Sequence, residues 1–340
     1  MHSKLHYLLE PTPNLDFISL YLCLFIHMPN QIMSVHQSEI TSWFKQLQDS
    51  ICQQLEQLDG KAEFKEDLWE RPEGGGGRTR IVQEGTIIEK GGVNFSAVEG
   101  AMPSKLLGLL KVDNTGNEPV NFFATGVSIV LHPQSPRTPI IHMNIRYFEM
   151  SNGMWWFGGG IDLTPHYIDE QLACDFHQHL ARVCQAHNAD YYSRFKTWAD
   201  EYFYLPHRKE TRGIGGIFFD RLQEGPSMNK AQRWAFVQDV GRAFVPLYQH
   251  QVAATHSLPF TSEQQQWQQL RRGRYVEFNL VWDRGTKFGL ETNGRTESIL
   301  MSLPSNASWA YAFEPKEGSP EAFTLDKLNK GIDWAGLNSN

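Results

Sequence analysis

The most informative stretch of this sequence is Trp155-Trp156-Phe157-Gly158-Gly159-Gly160-Ile161-Asp162-Leu163-Thr164-Pro165. It joins two indoles, a phenyl ring, three consecutive glycines and one carboxylate. Consecutive glycines lose backbone entropy on folding and add no packing, so folded proteins keep them where another group approaches the backbone closely. The aromatic and acidic neighbours indicate a flat, apolar ligand with N–H donors. A turn between two strands with core aromatics is the alternative that needs no ligand.

The whole chain has the composition of a globular protein. Of its 340 residues, 41% are hydrophobic and 20% are charged, which suffices for one large core. The net charge of −7 argues against nucleic acid or an anionic membrane as the main partner. The four cysteines form no CxxC pair and no zinc spacing. This usage favours a reducing compartment, and we expect a cytoplasmic protein.

The N-terminus differs from the rest of the chain. Residues 17–28 form an apolar run that is too short to span a bilayer. Asp16 precedes the run and no small-residue cleavage site follows it. We therefore expect residues 1–34 to be a disordered or loosely packed extension, or to precede the true start at Met28 or Met33, with no stable membrane insertion. Residues 35–340 are expected to form a single folded domain.

Hydrophobic periodicity predicts helices and strands that do not alternate regularly. Spacings of three and four predict helices at 40–55, 169–186, 188–205 and 229–252. Segments rich in β-branched residues predict strands at 80–90, 126–131, 140–150 and 273–282. Two glycine-rich segments are expected to be loops, namely 61–80 and 158–160. This order of elements favours an α+β fold.

Side chains alternate between the two faces of a strand, and this places polar groups together. His142, Asn144 and Arg146 share one face of the predicted strand 140–150, and Ser128 lies in the preceding strand. The predicted strand 273–282 has its own polar face, formed by Tyr275, Glu277 and Asn279. A solvent face usually carries Lys, Glu and Thr, so these residues indicate a functional face. An ordinary half-exposed sheet is the alternative.

The segment 271–295 carries six basic residues and three acidic residues in a chain that is acidic overall. A guanidinium group matches the geometry of carboxylates and phosphates. Because the sequence has no Walker loop and no GxGxxG after a strand, a small molecule with carboxylates is a simpler ligand than a nucleotide. A surface patch of salt bridges is the alternative interpretation.

Four histidines are candidates for chemistry: His132, His142, His177 and His207. Each could give a neutral nitrogen to a divalent metal, and one could instead act as a general acid. No compact motif such as HExxH is present, so the spacing alone is weak support for a metal site.

At this point several long motifs make the chain resemble the oxygen-dependent (aerobic) coproporphyrinogen-III oxidases, from about residue 35 to residue 334. The motifs are GGGGR at 74–78, GVNFS at 92–96, HMNIRYFE at 142–149, WWFGGGIDLTP at 155–165, DEYFYLPHR at 200–208, RGIGGIFFD at 212–220 and the run 271–304. The resemblance implies one domain with a large, mostly antiparallel sheet flanked by helices on both faces. It also implies a homodimer formed through about residues 275–309.

The resemblance further implies a reaction and its residues. Two propionate groups of coproporphyrinogen III become vinyl groups, giving protoporphyrinogen IX, with O2 as the oxidant and no organic cofactor. By residue match, His142 is the proton donor, and the four histidines named above match the ligands of a divalent metal, for which manganese is a candidate. The matched substrate-binding residues are Ser128, Asn144, Ile145, Arg146, Asn293, Gly294 and Arg295. Asn293 stands where relatives usually have glycine.

The chemistry of a porphyrinogen assigns further roles as hypotheses. Asp162 is expected to accept hydrogen bonds from pyrrole N–H groups and to help deprotonate one pyrrole, beside His142 in catalysis. Four arginines are expected to hold propionates or in part to pair with Asp283: Arg146, Arg212, Arg284 and Arg295. Two other classes stay open, a metal-dependent oxygenase or hydrolase and a non-catalytic tetrapyrrole-binding protein. The presence of both His142 and Asp162 argues against the second class.

Overall fold

Seven antiparallel strands form the central sheet of the computed structural model, which describes residues 35–102, 119–291 and 294–336. The strands are β1 (Lys65–Glu70), β2 (Gly75–Gln83), β3 (Ile88–Ala101), β4 (Asn121–Pro133), β5 (Ile140–Met150), β6 (Trp155–Thr164) and β9 (Gly215–Leu222). Their order in the sheet is β1-β2-β3-β4-β5-β6-β9. A separate pair is formed by β7 (Tyr204–Leu205) and β8 (Glu210–Thr211). The expectation for residues 1–34 lies outside the described residues.

Helices lie before, between and after the strands of this sheet in the chain. They are α1 (Gln37–Asp59), α2 (Glu170–Gln185), α3 (Tyr191–Tyr202), α4 (Lys230–Thr255), α5 (Ser262–Glu277), a π-helix (Phe278–Trp282), α6 (Arg284–Glu291), α7 (Thr296–Leu300) and α8 (Pro320–Asp326). The four helices predicted from periodicity are confirmed as α1, α2, α3 and α4, with ends shifted by a few residues. None of the described helices is long and apolar enough to cross a membrane.

Helices cover both faces of the sheet. On one face α1, α2 and α4 contribute to the main hydrophobic core, where Phe44 and Phe244 belong to the same cluster as Ile145 of β5. On the other face Tyr275 of α5 packs with Val130 and Ile140. The α+β fold with a flanked antiparallel sheet is therefore confirmed. It leaves the polar face of β5 on the side that α5 only partly covers.

The predicted loop at 61–80 is wrong, because these residues form the hairpin of β1 and β2. Three of the four glycines begin β2, and Gly77 among them makes room for an indole. A Cβ on Gly77 would lie 2.1 Å from Cζ2 of Trp69, so only glycine lets Trp69 lie across the neighbouring strand. The predicted strand 80–90 also has the wrong bounds, because it joins the end of β2, which is Gln83, to the start of β3, which is Ile88.

The predicted strand 273–282 is wrong as well, since these residues continue α5 and form the π-helix. Thr261 begins α5 with a capping box, and the buried positions Trp267, Arg271, Tyr275 and Phe278 recur at helical spacing. The alternation of Tyr275, Glu277 and Asn279 is thus coincidental, and the three side chains share no strand face. A π-turn within a helix is rare and often occurs at functional sites.

Asp59 ties the end of α1 to the β2–β3 turn. Its carboxylate accepts hydrogen bonds from the backbone N–H groups of Ala62, Thr86, Ile87 and Ile88, at 2.8–2.9 Å. Burial by itself opposes ionisation, but these four donors outweigh it and lower the pKa of the Asp59 carboxyl. The carboxylate therefore stays charged and fixes the turn.

We expect Asp59→Asn to lower the free energy of unfolding by about 2–3 kcal/mol at pH 7, because an amide cannot accept from all four donors. Because the pKa is lower in the folded state, this contribution is complete above the ordinary carboxyl pKa of about 4 and fades as the pH falls below it. Urea unfolding at pH 7 and in acid measures both effects. Asp190→Asn, at a helix start without a side-chain cap, is the control; an equal loss there would contradict the assignment.

Candidate active site

The polar face of β5 lies opposite the glycines of β6. In the strand register His142 faces Asp162, Asn144 faces Gly160 and Arg146 faces Gly158. The predicted glycine loop at 158–160 is therefore wrong, because these residues are in the middle of β6.

The glycines leave space beside the polar side chains. A Cβ on Gly158 would lie 2.7 Å from Oδ1 of Asp220 and 2.8 Å from Nη2 of Arg146. The close approach inferred from the sequence is thus made by neighbouring side chains of this chain.

A buried chain of three charged or polar side chains forms the centre of this face. Nδ1 of His142 lies 2.7 Å from Oδ1 of Asp162, and Nη2 of Arg212 lies 2.8 and 2.9 Å from the two oxygens of the same carboxylate. The side chain of Asp162 is 1% exposed and that of Arg212 is 2% exposed, whereas 19% of His142 is exposed. His142 is therefore the member of this chain that a bound molecule can reach.

The guanidinium of Arg212 is enclosed by aromatic rings. Its central carbon lies 4.4 Å from the ring centroid of Phe203, 4.7 Å from Tyr275 and 4.6 Å from Phe278. Nη1 donates to the side-chain oxygen of Asn279 at 3.0 Å. Cation–π contacts of a desolvated guanidinium are favourable. The segment 273–282, which is helical and not the predicted strand, therefore holds the cation of the site.

The protonation of this chain follows from its contacts. Burial would raise the pKa of the Asp162 carboxyl, but Arg212 and His142 outweigh burial and hold that pKa below its ordinary value. A carboxylate only accepts hydrogen bonds, so Nδ1 of His142 is the donor and Nε2 is the ring nitrogen left for a substrate. Asp162 is also shielded from solvent. We therefore revise its expected role, from an acceptor for pyrrole N–H groups to a residue that positions His142.

Arg146 lies nearer the surface of the same face. It donates through Nη1 to Asn144 at 2.9 Å and through Nη2 to Asp220 at 2.7 Å, and 38% of its side chain is exposed. Ser128 is the cross-strand neighbour of Asn144. The side chain of Ile145 is fully buried in the core on the opposite face, so only its backbone could contact a ligand here.

The other predicted propionate ligands have different surroundings. The guanidinium of Arg284 lies 5.8 Å from the ring centroid of Tyr202. Arg295 forms an ion pair with Asp67 of β1. The backbone N–H of Gly294 donates to the carbonyl of Gly289. No contact joins these residues to the His142 chain within the part of the molecule described, and Asn293 lies outside that part.

Carboxylates of the protein itself occupy most of the basic segment 271–295. Arg271 pairs with Glu210 at 2.9 Å, Arg272 pairs with Glu89 at 2.6 Å, and Arg274 pairs with Glu277 at 3.1 Å. The first two arginines are buried. For these residues the salt-bridge interpretation is correct, and the expectation of carboxylate ligands is wrong.

The four candidate metal-binding histidines have separate partners. His132 uses Nε2 on the carbonyl of Ser302 at 2.8 Å, and His177 uses both nitrogens, on the Tyr192 hydroxyl and the Ile214 carbonyl. Burial lowers the pKa of both imidazoles to about 3.

His207 is exposed and contacts Glu277 and Trp282. In residues 35–102, 119–291 and 294–336 no group of three or more His, Cys, Asp or Glu side chains could hold a metal. The residues as placed do not fit one shared metal ion.

Sequence reasoning missed Asp220 and Phe203 as parts of this site. Asp220 ends the motif RGIGGIFFD, which also contains Arg212, and Phe203 lies in DEYFYLPHR. For Asp220 and Phe203, the available signal was the family motif in which each residue lies. Asn279 was indicated as part of a polar face, but its contact with Arg212 depends on the helical course of residues 262–282.

Comparison with known proteins shows the family of this chain. The profile of the family described as "Coproporphyrinogen III oxidase" matches residues 39–334. The chain belongs to the coproporphyrinogen III oxidase family. The match includes His142, Asp162, Arg212 and the whole of the sheet, so the buried chain of the site lies within the shared region.

Three relatives in this family are similar over most of their length. The "Oxygen-dependent coproporphyrinogen-III oxidase, chloroplastic" of Glycine max is 47% identical over 300 residues, covering 85% of this chain and 77% of the relative. The "Oxygen-dependent coproporphyrinogen-III oxidase" of Parasynechococcus marenigrum (strain WH8102) is 46% identical and covers 85% of each chain. The "Coproporphyrinogen-III oxidase 1, chloroplastic" of Arabidopsis thaliana is 44% identical, covering 90% and 81%.

We expect Gly159→Ala in this family member to lower the free energy of unfolding by about 2–3 kcal/mol, because the added Cβ overpacks the sheet. It would lie 2.5 Å from the backbone oxygen of Asn144 and 2.9 Å from Cγ2 of Ile145. Thermal and urea unfolding measure the loss. Gly225→Ala, where the nearest atom is the end of the flexible Arg233 side chain, is expected to change stability by less than about 0.5 kcal/mol. Equal stability of the two variants would contradict this expectation.

Proposed function

We propose that this protein converts two propionate side chains of coproporphyrinogen III to vinyl groups and so forms protoporphyrinogen IX. O2 is the oxidant, and two CO2 and two H2O2 are released. The observation that supports this proposal most directly is the buried His142–Asp162–Arg212 chain on a polar sheet face, in a member of the coproporphyrinogen III oxidase family. The names of the relatives point to the same reaction in porphyrin and haem biosynthesis.

The reaction needs one proton from the protein side for each propionate. Decarboxylation and loss of one hydrogen from the β-carbon release two electrons. O2 takes those electrons, that hydrogen and one further proton to become H2O2. A doubly protonated His142 can supply the proton through Nε2 and keep the proton on Nδ1, which is bound to Asp162. Arg146, half exposed on the same face, is placed to bind a propionate carboxylate.

Turnover started by oxygen tests the proposal. Coproporphyrinogen III prepared without oxygen is mixed with the enzyme, O2 is admitted, and the products are oxidised and separated by chromatography with fluorescence detection. The expected result is a divinyl product that needs both enzyme and O2. Absence of vinyl product with a folded protein would end the proposal and favour a tetrapyrrole-binding protein without catalysis.

The divalent metal stays a prediction. It is supported by the family match of the four histidines and opposed by their separate partners. Metal analysis of the purified protein, with turnover measured before and after chelation, distinguishes an enzyme that needs the metal from one that does not. Full activity in chelator would favour an oxidase that needs neither metal nor organic cofactor. The cytoplasm also stays a prediction, since two relatives are named chloroplastic.

The proposal includes a homodimer formed through about residues 275–309. Among the described residues, seven of the twelve exposed large hydrophobic side chains lie between residues 280 and 313: Leu280, Val281, Trp282, Leu290, Trp309, Tyr311 and Phe313. A concentration of exposed apolar side chains in one segment favours a protein interface there. A second copy of the chain is the partner that the resemblance names.

We expect the wild type to sediment as two chains and Val281→Glu to sediment as one, because a charge in an apolar interface loses its hydration without gaining a partner. Val281 is 47% exposed in the single chain, so the variant should still fold. Analytical ultracentrifugation measures the mass. Leu68→Glu on β1, at a side chain 70% exposed, is the matched control and should leave the mass unchanged. A monomeric wild type would contradict the dimer.

A further inference from the structure

A cavity of about 370 Å³ lies at one end of the sheet, on the face opposite His142. It is bordered by the start of α2, the end of α4, α8 and the turn between β4 and β5. Apolar side chains make up much of its wall, among them Leu163, Leu172, Ile214, Leu258 and Phe323. Cavities of this size accept small organic molecules.

This cavity is separate from the proposed substrate site. Leu163 forms part of its floor and follows Asp162 along β6, so the two side chains point to opposite faces of the sheet. Ile214 lies two residues after Arg212 and donates its backbone N–H to the carbonyl of Leu163. None of the residues assigned above to substrate or proton transfer lines the cavity.

One cation in the wall lacks a carboxylate partner. Arg137 lines the cavity, and its Nε is buried without a hydrogen-bond partner among the described residues. The guanidinium contacts the ring of Tyr167, with 5.4 Å between the guanidinium carbon and the ring centroid. A desolvated donor on a cation gains more from an anionic acceptor than from a neutral one.

The acidic and other polar groups nearby are already engaged. Asp169 accepts the N–H groups of Gln171 and Leu172 at the start of α2. Gln251 donates to the carbonyl of Leu172, and the Thr255 hydroxyl donates to the carbonyl of Gln251. Among the described residues that line this wall, Arg137 is thus the cation, and it makes no ion pair.

We propose that this cavity binds a small amphipathic monocarboxylate, with its carboxylate on Arg137 and its apolar body against Leu163, Ile214 and Phe323. One guanidinium matches one carboxylate. A porphyrinogen with four propionates would leave three of them without a cation in this cavity. The inference does not depend on the proposed reaction.

Calorimetric titration with 1-naphthoate and its neutral analogue 1-naphthamide tests the site. The wild type is expected to bind naphthoate saturably. Arg137→Met keeps the apolar stem and removes the donors, so it should weaken naphthoate binding by about tenfold or more and leave naphthamide binding nearly unchanged. Ala254→Trp, at an exposed residue of the cavity rim, should weaken the binding of both compounds.

Arg182→Met, at an exposed arginine of α2, is the matched control and should bind naphthoate as the wild type does. Thermal unfolding checks that each variant is folded. Absence of saturable naphthoate binding to the wild type would overturn the proposal. Naphthoate binding that is unchanged by Arg137→Met or by Ala254→Trp would overturn it as well.

Discussion

Replacement of His142 by glutamine is expected to lower kcat by about 10³-fold, because glutamine keeps an amide near Asp162 but cannot transfer a proton. His142 is the exposed end of the buried chain, and Asp162 fixes its Nδ1 at 2.7 Å. The proton that completes H2O2 would then have to come from water. Steady-state turnover of coproporphyrinogen III, started with O2, measures kcat and KM.

The surface supplies a matched control for this histidine. His250 also pairs with an aspartate, with 2.9 Å between its Nε2 and Oδ2 of Asp175, but its side chain is 54% exposed on the outer side of α4. His250→Gln is expected to leave kcat unchanged. If His142→Gln kept more than about a tenth of the wild-type kcat, His142 would not be the principal proton donor.

Asp162→Asn is expected to lower the free energy of unfolding by about 3–5 kcal/mol, because it leaves the buried guanidinium of Arg212 without its counter-charge. Both carboxylate oxygens of Asp162 lie within 2.9 Å of Nη2 of Arg212. The folded-state pKa of Asp162 is lowered, so this stabilisation is complete above the ordinary carboxyl pKa and is lost as the pH falls through the folded value. Chemical unfolding at pH 7 measures it.

The double variant Asp162→Asn with Arg212→Met distinguishes two causes of the lost stability, namely the loss of the ion pair and the burial of an unpaired Arg212. Removing the cation as well should return part of the stability, since a buried pair replaced on both sides costs less than one broken on a single side. Asp175→Asn, on the surface, should change stability by less than about 1 kcal/mol. A stable Asp162→Asn protein would mean that Arg212 finds another partner.

Much of the sheet could be predicted because strand side chains alternate in a fixed way. The face of His142, Asn144 and Arg146 followed from a period of two alone, and the strand register then placed Asp162 beside His142. The family motifs identified candidate site residues that hydrophobic periodicity could not identify. The α+β class followed from the order of elements and needed no detail of packing.

The rest depended on contacts between distant parts of the chain. Alternation over 273–282 favoured a strand, but Tyr275 and Phe278 pack on Arg212 only as parts of a helix. The charges of Arg271 and Arg272 were visible in the sequence, whereas their partners Glu210 and Glu89 are 61 and 183 residues away. The glycines at 74–77 looked like a loop because Trp69, which needs their space, is identified only by the hairpin.

The π-helix contributes both to the candidate active site and to the exposed apolar surface. Phe278 and Asn279 hold the guanidinium of Arg212, while the next three residues, Leu280, Val281 and Trp282, present apolar side chains to the outside. A single short piece of backbone therefore links the buried cation to the surface that we propose a second copy covers. In the proposed dimer, removal of the second copy is therefore expected to loosen the aromatic contacts that hold Arg212.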